Sequence, residues 1–413
     1  MQRVAIIGGG ITGVTTAYSL LKRGFDVTLY ERNRYTAMET SYANGGQLSA
    51  SNAEVWNHWP TVFKGLRWML RADAPLLVNP KPSWHKLSWF AEFMAAIPRY
   101  AHNTSETARL AIAARDHLFQ WAADEGIEFD LQRRGILHIY RTRQGFAHAQ
   151  RVSALLAKGG LERRPVTPEE MRTLEPNLAG EYHGGFFTET DATGDIHKFT
   201  QGLASAIQRR GATIRYGVEV HDVGASANSA WVRHGQGRDE YDALVVCAGV
   251  GSRSLGAKLG DRVNVYPVKG YSITVHLDDP ASQQAAPWVS LLDDEAKLVT
   301  SRLGADRFRV AGTAEFNGFN RDIRHDRIRP LIRWVEQCFP GVDTRRVVPW
   351  TGLRPMLPDM MPLIGRGTQP TVFYNTGHGH LGWTLSAVTA ELVADAVATT
   401  GSAQSNANLV SYG

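Results

Sequence analysis

Val4-Ala5-Ile6-Ile7-Gly8-Gly9-Gly10-Ile11-Thr12-Gly13 opens a stretch that runs to Glu31 and decides the fold. The apolar run 4–7, rich in β-branched residues, reads as a buried parallel strand. It feeds a GxGxxG at 8–13, behind which Val14, Ala17, Tyr18 and Leu21 share one helical face. Gly24 ends that helix, 26–30 reads as a second strand, and Glu31 stands at its end. These are the parts of a dinucleotide fingerprint, in order. Gly8 lets the chain turn tightly, Gly10 lets the backbone approach a pyrophosphate, and Gly13 lets helix and strand pack closely. The N–H groups and dipole of the helix start attract phosphate. Glu31 can accept from a ribose diol and would repel a 2′-phosphate, which favours FAD or NAD over NADP. A lone GxGxxG is often only a glycine-rich turn; here strand, helix, second strand and acid all line up.

Composition sets the bounds. The 413 residues suggest two domains, and 43% hydrophobic with 21% charged residues is ordinary for a globular protein. The net charge of +5 is spread along the chain, with no long basic tract, zinc spacing or RNP-like motif. Nucleic acid is therefore not expected, while an anionic membrane surface stays open. Cys247 and Cys338 make no disulfide framework and no metal spacing, so no metal is expected. That usage suits a reducing cytosol, and a cytoplasmic location is expected, with peripheral contact at the membrane face open. The first apolar run enters the glycine loop directly, so no signal peptide is expected, and no run approaches the roughly 18 apolar residues of a spanning helix.

Residues 39–49 are small and polar, which suits either a capped loop or a helix start near the pyrophosphate. Residues 51–100 hold Trp56, Trp59, Trp68, Trp84 and Trp89, with Lys64, Arg67 and Arg71 among large apolar groups. Two readings stand: a surface dipping into a bilayer interface, or an amphipathic helical insertion packed on the core. Helices are expected at 104–127, at 142–158 with Thr142 as cap, after Thr167-Pro168, and at 196–210. Residues 131–141 read as a strand pair turning at Gly135, and 213–216, 218–220 and 241–249 as further strands. Period-two alternation across 263–345 argues an antiparallel sheet. A second glycine loop at 376–384 runs into a second helix N-terminus, another end suited to anions or carbonyls. The expected fold is α/β (α+β overall). A discontinuous Rossmann-type FAD-binding domain takes 1–50, 190–255 and 346–413. An antiparallel-sheet substrate domain with the Trp-rich insertion takes 51–189 and 256–345.

At this point the chain resembles a known family. The runs Glu39-Thr-Ser-Tyr-Ala-Asn-Gly-Gly-Gln-Leu-Ser49, Tyr266-Pro-Val-Lys-Gly-Tyr-Ser272, Thr351-Gly-Leu-Arg-Pro-Met-Leu-Pro-Asp359 and Asn375-Thr-Gly-His-Gly-His-Leu-Gly-Trp-Thr384 are similar to those of bacterial FAD-dependent D-amino acid dehydrogenases of the small-subunit type. These belong to the wider D-amino acid oxidase and glycine oxidase superfamily. Gly46 and Leu48 depart from the usual residues, as does His380, where a small polar residue is usual. The resemblance implies FAD along Gly8, Gly10, Ile11, Thr12 and Gly13, with Glu31 on the ribose and Arg32 beside it. It implies Ser41, Gln47 and Leu48 near pyrophosphate and flavin, Val220 near the adenine and Gly249 near the pyrophosphate. Gly377, His378, Gly382, Trp383 and Thr384 would hold the isoalloxazine edge. Ser41 and Thr384 also read as helix caps.

The implied reaction is hydride transfer from Cα of a D-amino acid to flavin N5, giving an imino acid that water converts to a 2-oxo acid and ammonia. Electrons would pass to a quinone or a similar acceptor. Such a substrate needs its carboxylate anchored, and a bidentate arginine is the natural anchor. Arg354 is the first candidate and Arg302 the second; each also reads as a structural ion pair. Tyr271 reads either as a hydroxyl on the carboxylate or as a ring packed in the sheet. His378 reads better as a backbone contact than as a base, and no base is nominated. Related amine acids (D-hydroxyproline, glycine, sarcosine), an oxidase, an NAD-dependent dehydrogenase, a flavin-binding subunit of a larger complex and an oligomer remain alternatives.

Overall fold

The computed structural model describes residues 2–68 and 74–410. Strand Arg3–Ile7 is central because it has no polar face: Val4, Ala5 and Ile6 are fully buried. Parallel neighbours lie on both sides, Asp26–Glu31 and Ala243–Val246, with Thr213–Tyr216 and Val372–Thr376 beyond them. Leu363–Arg366 closes one edge, antiparallel. Helix Ile11–Lys22 buries Val14, Ala17, Tyr18 and Leu20 in the layer it shares with helices Ile196–Arg209 and Gly382–Val410. The parallel sheet is thus assembled from distant parts of the chain, as expected of an interrupted Rossmann-type domain.

The second sheet is larger and mostly antiparallel. Tyr266–His276 pairs with Arg307–Phe316 on one side and Val347–Met356 on the other. The sheet continues through Leu298–Leu303, Ser290–Asp293, Ile136–Tyr140, Gly184–Thr188 and Arg164–Val166. Two of its pairings are parallel, Ser290–Asp293 with Ile136–Tyr140 and Arg307–Phe316 with Leu76–Val78. Tyr266–Val275 is buried throughout, which is why its alternation is weak: both faces are covered, one by helix His325–Cys338 through Leu331, Trp334 and Val335.

Local signals at helix ends hold. Thr142 caps Arg143–Lys158 through Gly145 N, and Thr167 with Glu170 forms a capping box on Pro168–Leu174. Tyr100–Glu125 stops at Gly126, whose φ of +63° is the left-handed cap. Other expectations are corrected. Residues 131–141 give one strand, Ile136–Tyr140, plus a bridge from Gln132 to Thr193, because Gly135 bends the chain into the sheet instead of closing a hairpin. The strand expected at 218–220 is Val220–Ala225, the first of a three-stranded meander with Ala230–His234 and Gly237–Tyr241. Residues 39–49 form a loop ending in the short strand Gln47–Leu48, so the helix reading fails. Val347–Met356 hydrogen-bonds along Tyr266–His276, so the segment from 346 begins in the antiparallel sheet and not, as expected, with the parallel one.

Gly379–Thr399 is long and apolar enough to cross a bilayer, against the expectation that no run is, yet 67% of its apolar 18-residue window is buried in the fold. Leu385, Ala387, Ala390, Val393, Ala394 and Val397 are at most 1% exposed, so the apolarity serves the core. Of the Trp-rich stretch, Trp89 is buried and donates to Met356 O at 2.9 Å, while Trp59 and Trp84 are exposed. Residues 69–73 and the side chains of Lys64, Arg67 and Trp68 lie outside the described parts, Arg71 included.

A candidate active site between the two sheets

A cavity of about 480 Å³ runs from the first glycine loop to the wall of the antiparallel sheet. Gly8 has φ +111°, and a Cβ there would stand 2.5 Å from Cys247 O. A Cβ on Gly13 would stand 1.8 Å from Gly8 O, so helix and strand meet only because both are glycine. Gly10 starts the helix without a side-chain cap, and Ile11 N donates to Ser41 Oγ at 3.0 Å from the neighbouring loop. Glu31 Oε2 accepts from Gly9 N and Oε1 from Asn33 N and Nδ2, each at 2.7 Å. Burial pushes its carboxyl up, and those hydrogen bonds from Asn33 and Gly9 act against it. A helix N-terminus opening on the cavity, a glycine cradle and a buried acid at the end of the second strand fit the phosphates and ribose of FAD.

Most of the expected cofactor residues line this cavity: Gly8, Gly10, Ile11, Thr12, Glu31, Arg32, Ser41, Gln47, Val220 and Gly249. Arg32 pairs with Glu39 at 2.5 Å. Gly13 and Leu48 do not line it; Gly13 is a packing glycine and Leu48 a core residue at 2% exposure. From the second loop, Gly377, His378, Gly382, Trp383 and Thr384 line it as well. Gly377 and Gly379 take φ of +80° and +59° to make the turn. His378 Nε2 lies 3.0 Å from Thr389 Oγ1, and burial pushes the imidazole down to about 3, so the ring is neutral and structural. Ser49 N donates to Thr384 Oγ1 at 3.2 Å, tying the two loops together.

Arg354 stands on the sheet wall. Its Nη1 donates to Thr313 O at 2.8 Å, and its guanidinium lies over Gly270, where a Cβ would come within 2.4 Å of Cζ. No described carboxylate pairs with it, and burial alone pushes it down to about 10. Thr313, a β-branched residue held at φ +58° with an unpartnered hydroxyl, fixes the carbonyl that orients this arginine. Tyr271 also lines the cavity, and its hydroxyl donates to buried Glu315 at 2.9 Å, which serves the sheet. Arg302 is corrected. It is 2% exposed, its guanidinium donates to the carbonyls of Gln283, Ala286, Gly304 and Ala305, and it does not line the cavity. Its backbone partners are complete, so it has no free edge for a substrate.

Sequence reasoning missed one cluster. Glu54, His58 and His148 come from a loop, the helix Trp59–Trp68 approach and helix Arg143–Lys158, and all three line the cavity. Glu54 Oε1 lies 2.6 Å from Tyr100 Oη, 3.1 Å from His148 Nε2 and 3.4 Å from His58 Nε2. Beside them, His380 stacks on Trp56 with centroids 5.1 Å apart, its Nε2 is 3.2 Å from Asn52 O, and burial pushes it down to about 4. Lys297 pairs with Asp294 at 2.5 Å. Spacings of 46 and 94 residues within these hydrogen bonds left no local signal to read.

Two glycine loops, a buried acid at the end of the second strand and a cavity-facing arginine suit a flavin-dependent dehydrogenase or oxidase of amine acids as the class. The model of the FAD dependent oxidoreductase (DAO) family matches residues 3–396, and the chain belongs to that family. It is 60% identical over 402 residues to D-amino acid dehydrogenase 3 of Mesorhizobium japonicum, covering 97% of this chain and 98% of that one. It is 40% identical to a D-amino acid dehydrogenase of Paramagnetospirillum magneticum, covering 96% and 95%. The fold matches glycine oxidase from Geobacillus kaustophilus with a TM-score of 0.77 at 22% identity, over 97% and 95% of the two chains. It matches L-proline dehydrogenase from P. horikoshii with a TM-score of 0.75 at 17% identity, over 96% and 93%.

Proposed function

We propose that this chain is a D-amino acid dehydrogenase, converting D-amino acids to 2-oxo acids and ammonia and passing the electrons to a quinone or similar acceptor. The observation that carries the reading is Arg354: a half-buried, cavity-facing guanidinium with no acidic partner among the described residues. Such a group is costly unless a ligand supplies the counter-charge, and an amino acid carboxylate does so with two parallel hydrogen bonds. Bound FAD supplies the acceptor for the two electrons of the Cα–H bond. Arg354 then sets which face of Cα is presented, Gly270 leaves room for its fork, and Thr313 O fixes its plane. No side chain is assigned as a base, because the amine need only be neutral. The cofactor is held by 1–50, 190–255 and the chain after 356, and the remainder forms the substrate side. The names of the two D-amino acid dehydrogenases support this reading.

An anaerobic flavin-bleaching screen against D-amino acids, L-amino acids, cyclic imino acids and glycine tests it. Bleaching by D-amino acids is expected; bleaching by L-amino acids alone refutes the stereochemistry. Fast reoxidation by air with peroxide release refutes the dehydrogenase assignment.

The place of work is part of the same proposal: the cytoplasmic face of the membrane, touched peripherally. Trp59, Phe63, Trp84, Leu87 and Met94 are exposed on two neighbouring segments of the insertion, and Trp59 stacks on Phe63 at 6.1 Å. Lys81 and Arg99 are exposed nearby in sequence, the aromatic and basic mixture that suits an anionic interface. Co-sedimentation with anionic liposomes is expected and is expected to weaken in Trp59→Ser/Trp84→Ser. A protein that ignores such liposomes and reduces no quinone analogue sinks it.

A further inference from the structure

Glu54 stands out as a carboxylate set in the wall of a substrate cavity. Its side chain keeps 21% of its surface while its neighbours hold it firmly. Oε1 receives Tyr100 and both histidines, whereas Oε2 has no hydrogen-bond partner among the described residues and is not sealed off. Burial would raise this carboxyl, yet the hydrogen bonds of His148 and His58 outweigh it and hold Glu54 well below its usual range. The group is therefore an anion at working pH. The nearby Asp294 and Lys297 neutralise each other. Arg354 and Glu54 each face the cavity with no ion-pair partner of opposite permanent charge among the described residues.

The His380–Trp56 stack braces the Glu54 side of this cavity. Trp56 is two residues beyond Glu54, and His380 hydrogen-bonds to Asn52 O two residues before it. The imidazole of His380 is disfavoured as a cation by Arg354 and favoured by Glu54, so it lies within electrostatic reach of both. Arg354, the stack and Glu54 line one cavity, so a substrate whose carboxylate meets Arg354 shares that space with Glu54. We propose that this end of the cavity selects D-amino acids with a cationic side chain, with Glu54 as the counter-charge. The inference rests on the D-amino acid reading above. His58 and His148 act as positioning residues that aim Oε2 into the cavity.

A divalent ion is the rival occupant, because the ligand atoms of Glu54, His58 and His148 lie within 4.8 Å of one another. The same atoms are already engaged: His58 Nε2 is 2.9 Å from Thr61 Oγ1, and Glu54 Oε1 takes Tyr100. That leaves Oε2 for an ammonium or guanidinium.

The test compares D-arginine with D-citrulline, which is nearly isosteric and uncharged. Each is titrated anaerobically into the FAD-loaded enzyme. Perturbation of the flavin spectrum reads binding, and bleaching reads turnover. Wild type is expected to bind D-arginine at least about thirtyfold tighter than D-citrulline. Glu54→Gln is expected to bring the two within about threefold, and Glu54→Asp to restore the preference in part. Equal affinity of wild type for the two ligands overturns the proposal, and needs no variant to fold. Bleaching by D-alanine alongside equal affinity means that only this inference fails. If no D-amino acid perturbs or bleaches the flavin, both readings fail. Stoichiometric zinc retained by the dialysed protein and lost in Glu54→Gln, with no preference for D-arginine, assigns the cluster to a metal and also overturns it.

Discussion

Replacing Arg354 with methionine should raise the stability of the FAD-free protein while removing most of its activity. The two effects have opposite signs because the guanidinium serves a ligand and not the fold. Burial pushes Arg354 down from its ordinary value to about 10, a penalty on the order of 3 kcal/mol for keeping it charged. Against this stands one good hydrogen bond to Thr313 O, whose loss leaves a carbonyl unpaired at about 1 kcal/mol. The balance of about 2 kcal/mol favours methionine, which also fills a similar volume over Gly270. In turnover, removing one partner of a buried charged pair costs about 2 to 5 kcal/mol, or about thirtyfold to several thousandfold in kcat/KM. Thermal melts of the apoprotein and dye-coupled assays with D-alanine measure the two separately. Arg354→Lys should recover part of the rate, since it restores the charge without the fork. A melting temperature several degrees lower, or a kcat/KM within about fivefold of wild type, would show that Arg354 is a sheet-edge ion and would falsify the anchor.

Other parts of the site give sharper single readouts. Gly13→Ala places a methyl group 1.8 Å from Gly8 O, so the protein should purify colourless or as aggregate; a variant with full visible flavin absorbance would contradict the packing argument. Tyr271→Phe should lower the melting temperature, because buried Glu315 loses a donor at roughly 1 to 3 kcal/mol, and should raise KM for D-alanine less than about tenfold. A larger rise in KM with unchanged stability would instead put the hydroxyl on the substrate. His378→Asn tests proton linkage: the folded imidazole titrates near 3 and the unfolded one near its ordinary value of about 6.5. The unfolded chain therefore binds the extra proton between those limits, and stability falls as pH drops below about 6.5, by about 2 kcal/mol at pH 5. The variant should show a denaturation midpoint that changes less between pH 7 and pH 5; an unchanged acid slope would mean that His378 is already charged in the folded state.

What could be read from sequence was what local chemistry decides. The Gly8–Gly13 spacing, the caps at Thr142 and Thr167 and the stop at Gly126 each depend on residues within one turn of one another, and each appears in the structure. The strand pair expected at 131–141 failed because Gln132 finds its partner at Thr193, on a distant segment that no local pattern announces. The two arginines show the same limit within the site. Arg302 and Arg354 both lie on strands of one sheet, and nothing in their neighbourhoods separates an anchor from a brace. Arg302 is met by four backbone carbonyls from the turn at 304–305 and from 283–286, whereas Arg354 crosses a strand that has glycine opposite it.

The unmet charge is thus a property of register. Val268 pairs with Arg354, which lets the side chain reach diagonally over Gly270, and a shift of one residue would turn it to the other face of the sheet. Glu54 follows the same logic from the opposite wall. Its anionic state depends on His148, His58 and Tyr100, which reach it from separate segments of the chain. A cavity in which Arg354 and Glu54 both lack a permanent counter-charge specifies a ligand by charge placement before any shape is considered.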